Sequence, residues 1–155
     1  MARILVVDDD AMIRVVVKDI LERRGHAVVL AECGHDGAEA IEAYAFDIAI
    51  VDIFMPGMNG LETIKTFRQS APRLPIIVMS GYAFRDAGGP APDFLRMAVD
   101  LGAAACVRKP FSPADLLHAV QTCMARPTRG TEVEAEHAGA SRLDDDLRRR
   151  TAGRP

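Results

Sequence analysis

Five polar residues in this sequence could share one piece of chemistry: Asp8, Asp9, Asp52, Ser80 and Lys109. Brought together, three carboxylates would meet a single ammonium, leaving two negative charges without a partner. Two carboxylates about 4 Å apart repel by roughly 4 kcal/mol at an effective dielectric near 20. Such a cluster calls for a divalent cation or for protonated carboxyls. The pocket offers hard oxygen donors and no Cys or His, which suits Mg²⁺, an ion that keeps several waters and needs only one or two carboxylates plus phosphate. A carboxylate can accept a phosphoryl group when a metal neutralises the incoming charge. Ser80 would supply a hydroxyl, and Lys109 a point charge, to the phosphoryl oxygens.

The elements that must gather these residues are legible in the apolar pattern. Five short runs, Ile4 to Val7, Ala27 to Leu30, Ile48 to Val51, Ile76 to Met79 and Ala104 to Val107, are nearly continuous and rich in Ile and Val. Continuous rather than alternating apolar runs predict strands buried on both faces, hence a parallel sheet covered by helices. Helical period lies between them. Ile13, Val16, Val17, Ile20 and Leu21 form one stripe closed by Gly25. Asp10 is either a further ligand or the N-cap of this first helix. Asp36 with Glu39, and Asn59 with Glu62, have capping-box spacing for the second and third helices. Ser112-Pro113-Ala114-Asp115 opens a last helix, with Phe111 as its staple and a buried face of Leu116, Leu117, Val120 and Met124.

Strand and helix thus alternate five times, which predicts a doubly wound α/β fold with a five-stranded parallel sheet and helices on both faces. Asp8 and Asp9 then follow strand one, Asp52 strand three, Ser80 strand four and Lys109 strand five. All five stand at carboxyl ends of strands, the edge where open α/β sheets bind ligands. Gly81 to Pro92 breaks the rhythm with three glycines and two prolines, predicting a long loop before a helix around Phe94 to Leu101.

Composition narrows the class further. A hydrophobic fraction of 49% with 26% charged residues is that of a globular domain. The net charge of −3 makes no electrostatic case for nucleic acid, and no run approaches a membrane span, so neither partner is expected. Cys33, Cys106 and Cys123 stand far apart and odd in number, which fits a reduced, cytoplasmic setting better than disulfides or zinc. His26, His35, His118 and His137 have no metal-ligand spacing. From about Ala125 the chain has no Ile, Phe, Tyr or Trp and only two Leu and one Val, and it mixes seven Arg with six Asp plus Glu. The expected organisation is therefore a domain over 1–124 and a disordered charged tail over 125–155. Leu143 to Arg150 could add two helical turns through Asp–Arg pairing.

Four motifs in register, Val-Val-Asp8-Asp9, Val-Asp52-Ile-Phe-Met55-Pro56-Gly-Met-Asn-Gly60, Val-Met-Ser80-Gly81 and Lys109-Pro110-Phe111, resemble the receiver domain of two-component response regulators over residues 2–124. The resemblance implies the flavodoxin-like strand order 2-1-3-4-5 and a phosphorylation-dependent signalling switch rather than an enzyme. By the same resemblance Asp52 is the phospho-acceptor. Asp9, Asp52 and the backbone carbonyl of Phe54 hold Mg²⁺, with Asp8 acting directly or through water, and Ser80 and Lys109 bind the phosphoryl oxygens. Lys109-Pro110 is implied to be cis. The donor is implied to be a sensor histidine kinase or a histidine phosphotransfer protein, and output to pass by protein contact or phosphorelay, in a stand-alone regulator. Phe54 and Tyr82 fall where they would shield the phosphate from water, so slow self-dephosphorylation is expected.

Two features depart from the family. Cys106 occupies the switch position where Tyr or Phe is usual, and a thiol cannot sweep out the volume of a ring. The loop after Ser80 is longer than usual and brings Tyr82 and Phe84, either as a partner surface or substitute switch or as a plain surface excursion. Other readings of the whole chain are a phosphate sink, a phosphorylation-independent scaffold, or a haloacid-dehalogenase-type phosphatase. The last matches Asp8-Asp9-Asp10, but Met12 stands where that motif wants Thr or Val, and its late acidic pair is missing before the tail.

Overall fold

The computed structural model describes residues 1–55, 59–81 and 94–126. Ten elements alternate along the chain. They are β1 (Arg3–Val7), α1 (Ala11–Glu22), β2 (Ala27–Ala31), α2 (Gly34–Ala43), β3 (Ile48–Asp52), α3 (Gly60–Ser70), β4 (Ile76–Ser80), α4 (Phe94–Asp100), β5 (Ala105–Arg108) and α5 (Pro113–Ala125). The strands form one parallel sheet in the order β2-β1-β3-β4-β5, as expected.

Alternation along each strand divides the core into two layers. Ile4 and Val6 of β1, Ile48 and Ile50 of β3, and Ile77 and Met79 of β4 pack with Val17, Leu21, Leu116 and Val120, the inner faces of α1 and α5. Leu5, Val7, Ala49, Val51, Ile76 and Val78 point the other way, toward Ile64 and Phe67 of α3 and Ala98 of α4. Phe67 is fully buried, so truncating it to Ala costs about 3–5 kcal/mol. Only β1, β3 and β4 are covered on both sides in the manner the continuous runs predict. The outer strands β2 and β5 have half-exposed patterns because each lacks a neighbour on one edge.

The caps explain where most helices begin. Asp10 accepts from the amides of Met12 and Ile13, which settles its role as the α1 cap. Asn59 accepts from Glu62 N at 3.0 Å. Ser112 and Asp115 bond reciprocally, Ser112 N to Asp115 Oδ2 at 2.9 Å and Asp115 N to Ser112 Oγ at 3.2 Å. Phe111, one residue earlier, packs against the first core layer. The box assigned to Asp36 and Glu39 is corrected: α2 starts at Gly34, and Cys33 is the cap, its Sγ 3.5 Å from Asp36 N. Glu39 instead pairs with His35 on the helix surface.

Two apolar stripes also need correction. Val16 is exposed on α1, and Met124 is exposed on α5, where Ala119 and Cys123 are buried instead. In both helices the contact with the sheet is narrower than the run of apolar residues. Gly25 takes φ +81 past the end of α1, which favours glycine there. The expected tail, 125–155, begins on the last residue of α5, and from residue 127 that tail, like the loop from Tyr82, lies outside the described residues.

Candidate functional site

The order of the strands decides where the polar residues meet. After β1 the chain passes to β2 on one side, and β3 then pairs with β1 on the other, so a crevice opens above the ends of β1 and β3. Asp8 follows β1 and Asp52 ends β3. Asp52 is opposite Met79, and Ser80 is opposite Arg108, so Ser80 and Lys109 lie at the same edge. Lys109 N also donates to Ser80 O at 2.7 Å.

Within the crevice Lys109 Nζ donates to Asp8 Oδ2 at 2.7 Å and to Asp52 Oδ2 at 3.2 Å. Asp8 is fully buried and Asp52 nearly so. The second oxygens are satisfied by backbone: Asp10 N donates to Asp8 Oδ1 at 2.9 Å, and Phe54 N to Asp52 Oδ1 at 3.2 Å. Burial raises the Asp52 carboxyl above its ordinary range; Lys109 pulls it down and Asp8 pushes it up, and burial wins. Burial also works against the Lys109 ammonium, but its bonds to Asp8 and Asp52 together prevail and raise its pKa.

Asp9 behaves differently. Its carboxylate is exposed and has no hydrogen-bond partner among the described residues, yet it shares the crevice. One oxygen each from Asp8, Asp9 and Asp52 lie within 4.8 Å of one another. Three hard oxygen donors at that spacing, one of them still open, fit a small divalent cation such as Mg²⁺. Ser80, at the rim, has a hydroxyl with no hydrogen bond among the described residues.

All five sequence-selected residues thus gather within the crevice or at its rim. Phe54 donates its amide to Asp52 and rests, half-buried, against the second core layer. The peptide before Pro110 is cis, as the resemblance implied. Tyr82 lies outside the described residues. Cys106 does not join the site: it is exposed on β5, on a groove of about 510 Å³ shared with Arg108, Asp115, His118 and Thr122. Sequence reasoning missed Arg14, whose guanidinium reaches the backbone carbonyls of Asp8 and Asp9. Its position one helical turn after the acids was the only available signal.

Comparison with known proteins follows the same lines. The family model described as "Response regulator receiver domain" matches residues 4–121. The transcriptional regulatory protein PdtaR of Mycobacterium tuberculosis is 32% identical over 142 residues, covering 90% of this chain and 64% of the relative. The response regulator MprA of Mycobacterium ulcerans is 35% identical, covering 90% of this chain and 55% of its own length. The chain therefore spans less than two thirds of these curated relatives. Among solved structures, a CheY-like response regulator receiver domain protein from Methanospirillum hungatei superposes with a TM-score of 0.70 at 32% identity, over 78% of this chain and 91% of its own. The chemotaxis protein CheY4 of Vibrio cholerae gives 0.68 at 30% identity, over 78% and 97%. No helix among the described residues is long and apolar enough to cross a membrane.

Proposed function

The chain belongs to the response regulator receiver family, and from that premise we propose that Asp52 is the residue that accepts its phosphoryl group. Asp9, Asp52 and the backbone carbonyl of Phe54 hold Mg²⁺, with Asp8 acting directly or through water. The observation that carries this reading is the Lys109 bridge between two buried carboxylates beside the carboxylate of Asp9, which has no partner among the described residues. When bound, the cation neutralises the charge that a phosphoryl group brings to an anionic pocket.

Each residue then has one task. An Asp52 oxygen attacks phosphorus while the P–N bond of a phosphohistidine breaks, and the imidazole leaves with the bonding pair. Lys109 turns from Asp52 to a phosphoryl oxygen and keeps its bond to Asp8. The Ser80 hydroxyl donates to a second oxygen. The protein is a phospho-acceptor regulator, and slow loss of its own phosphate is its only turnover. Receiver domains work with kinases or phosphotransfer proteins in the cytoplasm, and the donor here is a phosphohistidine on one of these. Met12, Val15 and Val16 leave an exposed apolar face on α1, directly after the acidic pair. That face suits a protein donor better than a small molecule.

Brief treatment with acetyl phosphate and Mg²⁺, read by intact mass, tests the assignment. Wild type gains one phosphoryl group and Asp52→Asn gains none. Equal labelling of both proteins, or labelling undiminished by EDTA, removes it.

A further inference from the structure

The carboxylate of Asp9 is the one acid of the cluster whose side chain nothing holds among the described residues. Its place is therefore set by its backbone. That backbone lies between β1 and α1, where neither ladder nor helix takes its carbonyl. Asp10 is the first residue whose carbonyl enters the helix, accepting from Arg14 N at 3.0 Å. The carbonyls of Asp8 and Asp9 need another donor. Arg14 Nη1 supplies it to both, at 2.7 Å to Asp8 O and 3.1 Å to Asp9 O. The side chain is only 12% exposed, and its other nitrogen reaches Glu32 just beyond β2 at 3.3 Å.

We propose that Arg14 is a positioning residue for cation binding, fixing the acidic loop through the two carbonyls rather than by its charge. This rests on the reading of Asp8, Asp9 and Asp52 as the Mg²⁺ site. The two ways Arg14 could matter have opposite signs. As a charge it repels an incoming cation, so neutralising it would tighten Mg²⁺ binding. As a clamp it holds Asp9 within the cluster, so removing it loosens binding, because preorganisation is lost. Glu32 is 77% exposed, so its bridge to Arg14 contributes little.

Isothermal titration with Mg²⁺ separates these, with thermal midpoints measured in EDTA to follow stability alone. Arg14→Gln is expected to weaken Mg²⁺ affinity by about tenfold, the effect size typical of groups that orient metal ligands. Arg14→Lys, which keeps one donor, recovers part of that loss, and Glu32→Gln stays within twofold of wild type. Leu21→Ala, buried on the same helix and remote from the loop, lowers the midpoint without changing affinity. Unchanged or tighter binding in Arg14→Gln, or a loss no larger than that of Leu21→Ala, overturns the assignment. Asp52→Ala stands in the same series. If it binds Mg²⁺ as wild type does, the metal reading itself fails and Arg14's role falls with it; if Asp52→Ala alone loses binding, only the role of Arg14 is wrong.

Discussion

Lys109 Nζ sits closer to Asp8, at 2.7 Å, than to Asp52, at 3.2 Å, although Asp52 is the residue proposed to receive phosphate. Asp8 is the more deeply buried of the two carboxylates, and the shorter bond goes to the anion that water cannot reach. In the proposed phosphoryl transfer the longer bond is the one exchanged. Lys109 can swing toward that group without releasing Asp8.

Removing the ammonium should therefore cost stability before it costs chemistry. Lys109→Ala leaves two buried carboxylates facing each other, a loss of about 3 kcal/mol. In a domain of this size the midpoint in EDTA falls by roughly 10 °C. Millimolar Mg²⁺ should restore more of the midpoint in Lys109→Ala than it adds to wild type, because the cation replaces a missing charge and stabilises by mass action. Equal Mg²⁺ responses in differential scanning calorimetry would count against a shared pocket for the two cations.

A second titration lies far from the site. Ala2 N donates to His26 Nδ1 at 3.2 Å, joining the starts of β1 and β2. Burial lowers the His26 pKa below its ordinary value. The unfolded chain then takes the proton more readily than the folded one, so stability is complete above about pH 6.5 and declines as pH falls from there toward the folded pKa. His26→Gln keeps an acceptor and cannot titrate. Its midpoint, compared with wild type between pH 7.5 and 5.5, should lose less on acidification. Parallel curves would mean that the imidazole stays unprotonated or uncoupled.

Much of this was legible in the sequence, and the exceptions have a common cause. The five strands and the residues at their carboxyl ends follow from the apolar runs, because strand burial and strand ends are local properties, whereas the strand order was implied only by the family resemblance. Arg14 was not legible, since its role depends on two carbonyls left open by the β1–α1 turn. Neither was Arg68, whose guanidinium donates to Leu74 O at 2.7 Å and Gly102 O at 2.6 Å and so joins α3 to the far ends of two other connections. Long side chains that donate to distant backbone leave no periodic trace. Val16 and Met124 failed for a related reason: apolar character marks a helix face, but only packing shows how wide the buried part is.

The lifetime of the phosphorylated state gives a further test. Phe54 is fixed beside Asp52 by its amide bond to Oδ1, and its half-buried side chain offers no group that could orient water. Phe54→Asn would place an amide there. Phosphate loss from the acetyl-phosphate-labelled protein, followed by intact mass, should accelerate by about tenfold or more, since positioning a reactant changes rates by orders of magnitude. Unchanged decay in Phe54→Asn would show that this side chain does not control access to the phosphorus.

The most discriminating pair of substitutions involves two glycines that fail for different reasons. A Cβ at Gly60 would overlap the backbone of Asp52 and Ile53, where α3 closes against the end of β3 and Gly60 N donates to Ile53 O at 2.9 Å. Backbone cannot move aside as a side chain can, so Gly60→Ala must shift the segment that carries the Asp52 carboxylate. A Cβ at Gly37 meets only side chains, Phe67 Cζ and Val7 Cγ2, each at 2.9 Å in the core. Both substitutions overpack, at about 1–3 kcal/mol each. They should separate in function: Gly37→Ala lowers the midpoint yet labels with acetyl phosphate at the wild-type rate under stabilising conditions. Gly60→Ala lowers both, because an error near 1 Å at a reacting group can cost about a hundredfold. Equal labelling rates at matched folded fractions would mean that the β3 end tolerates displacement and that the bonds from Lys109 and the Phe54 amide suffice to position Asp52.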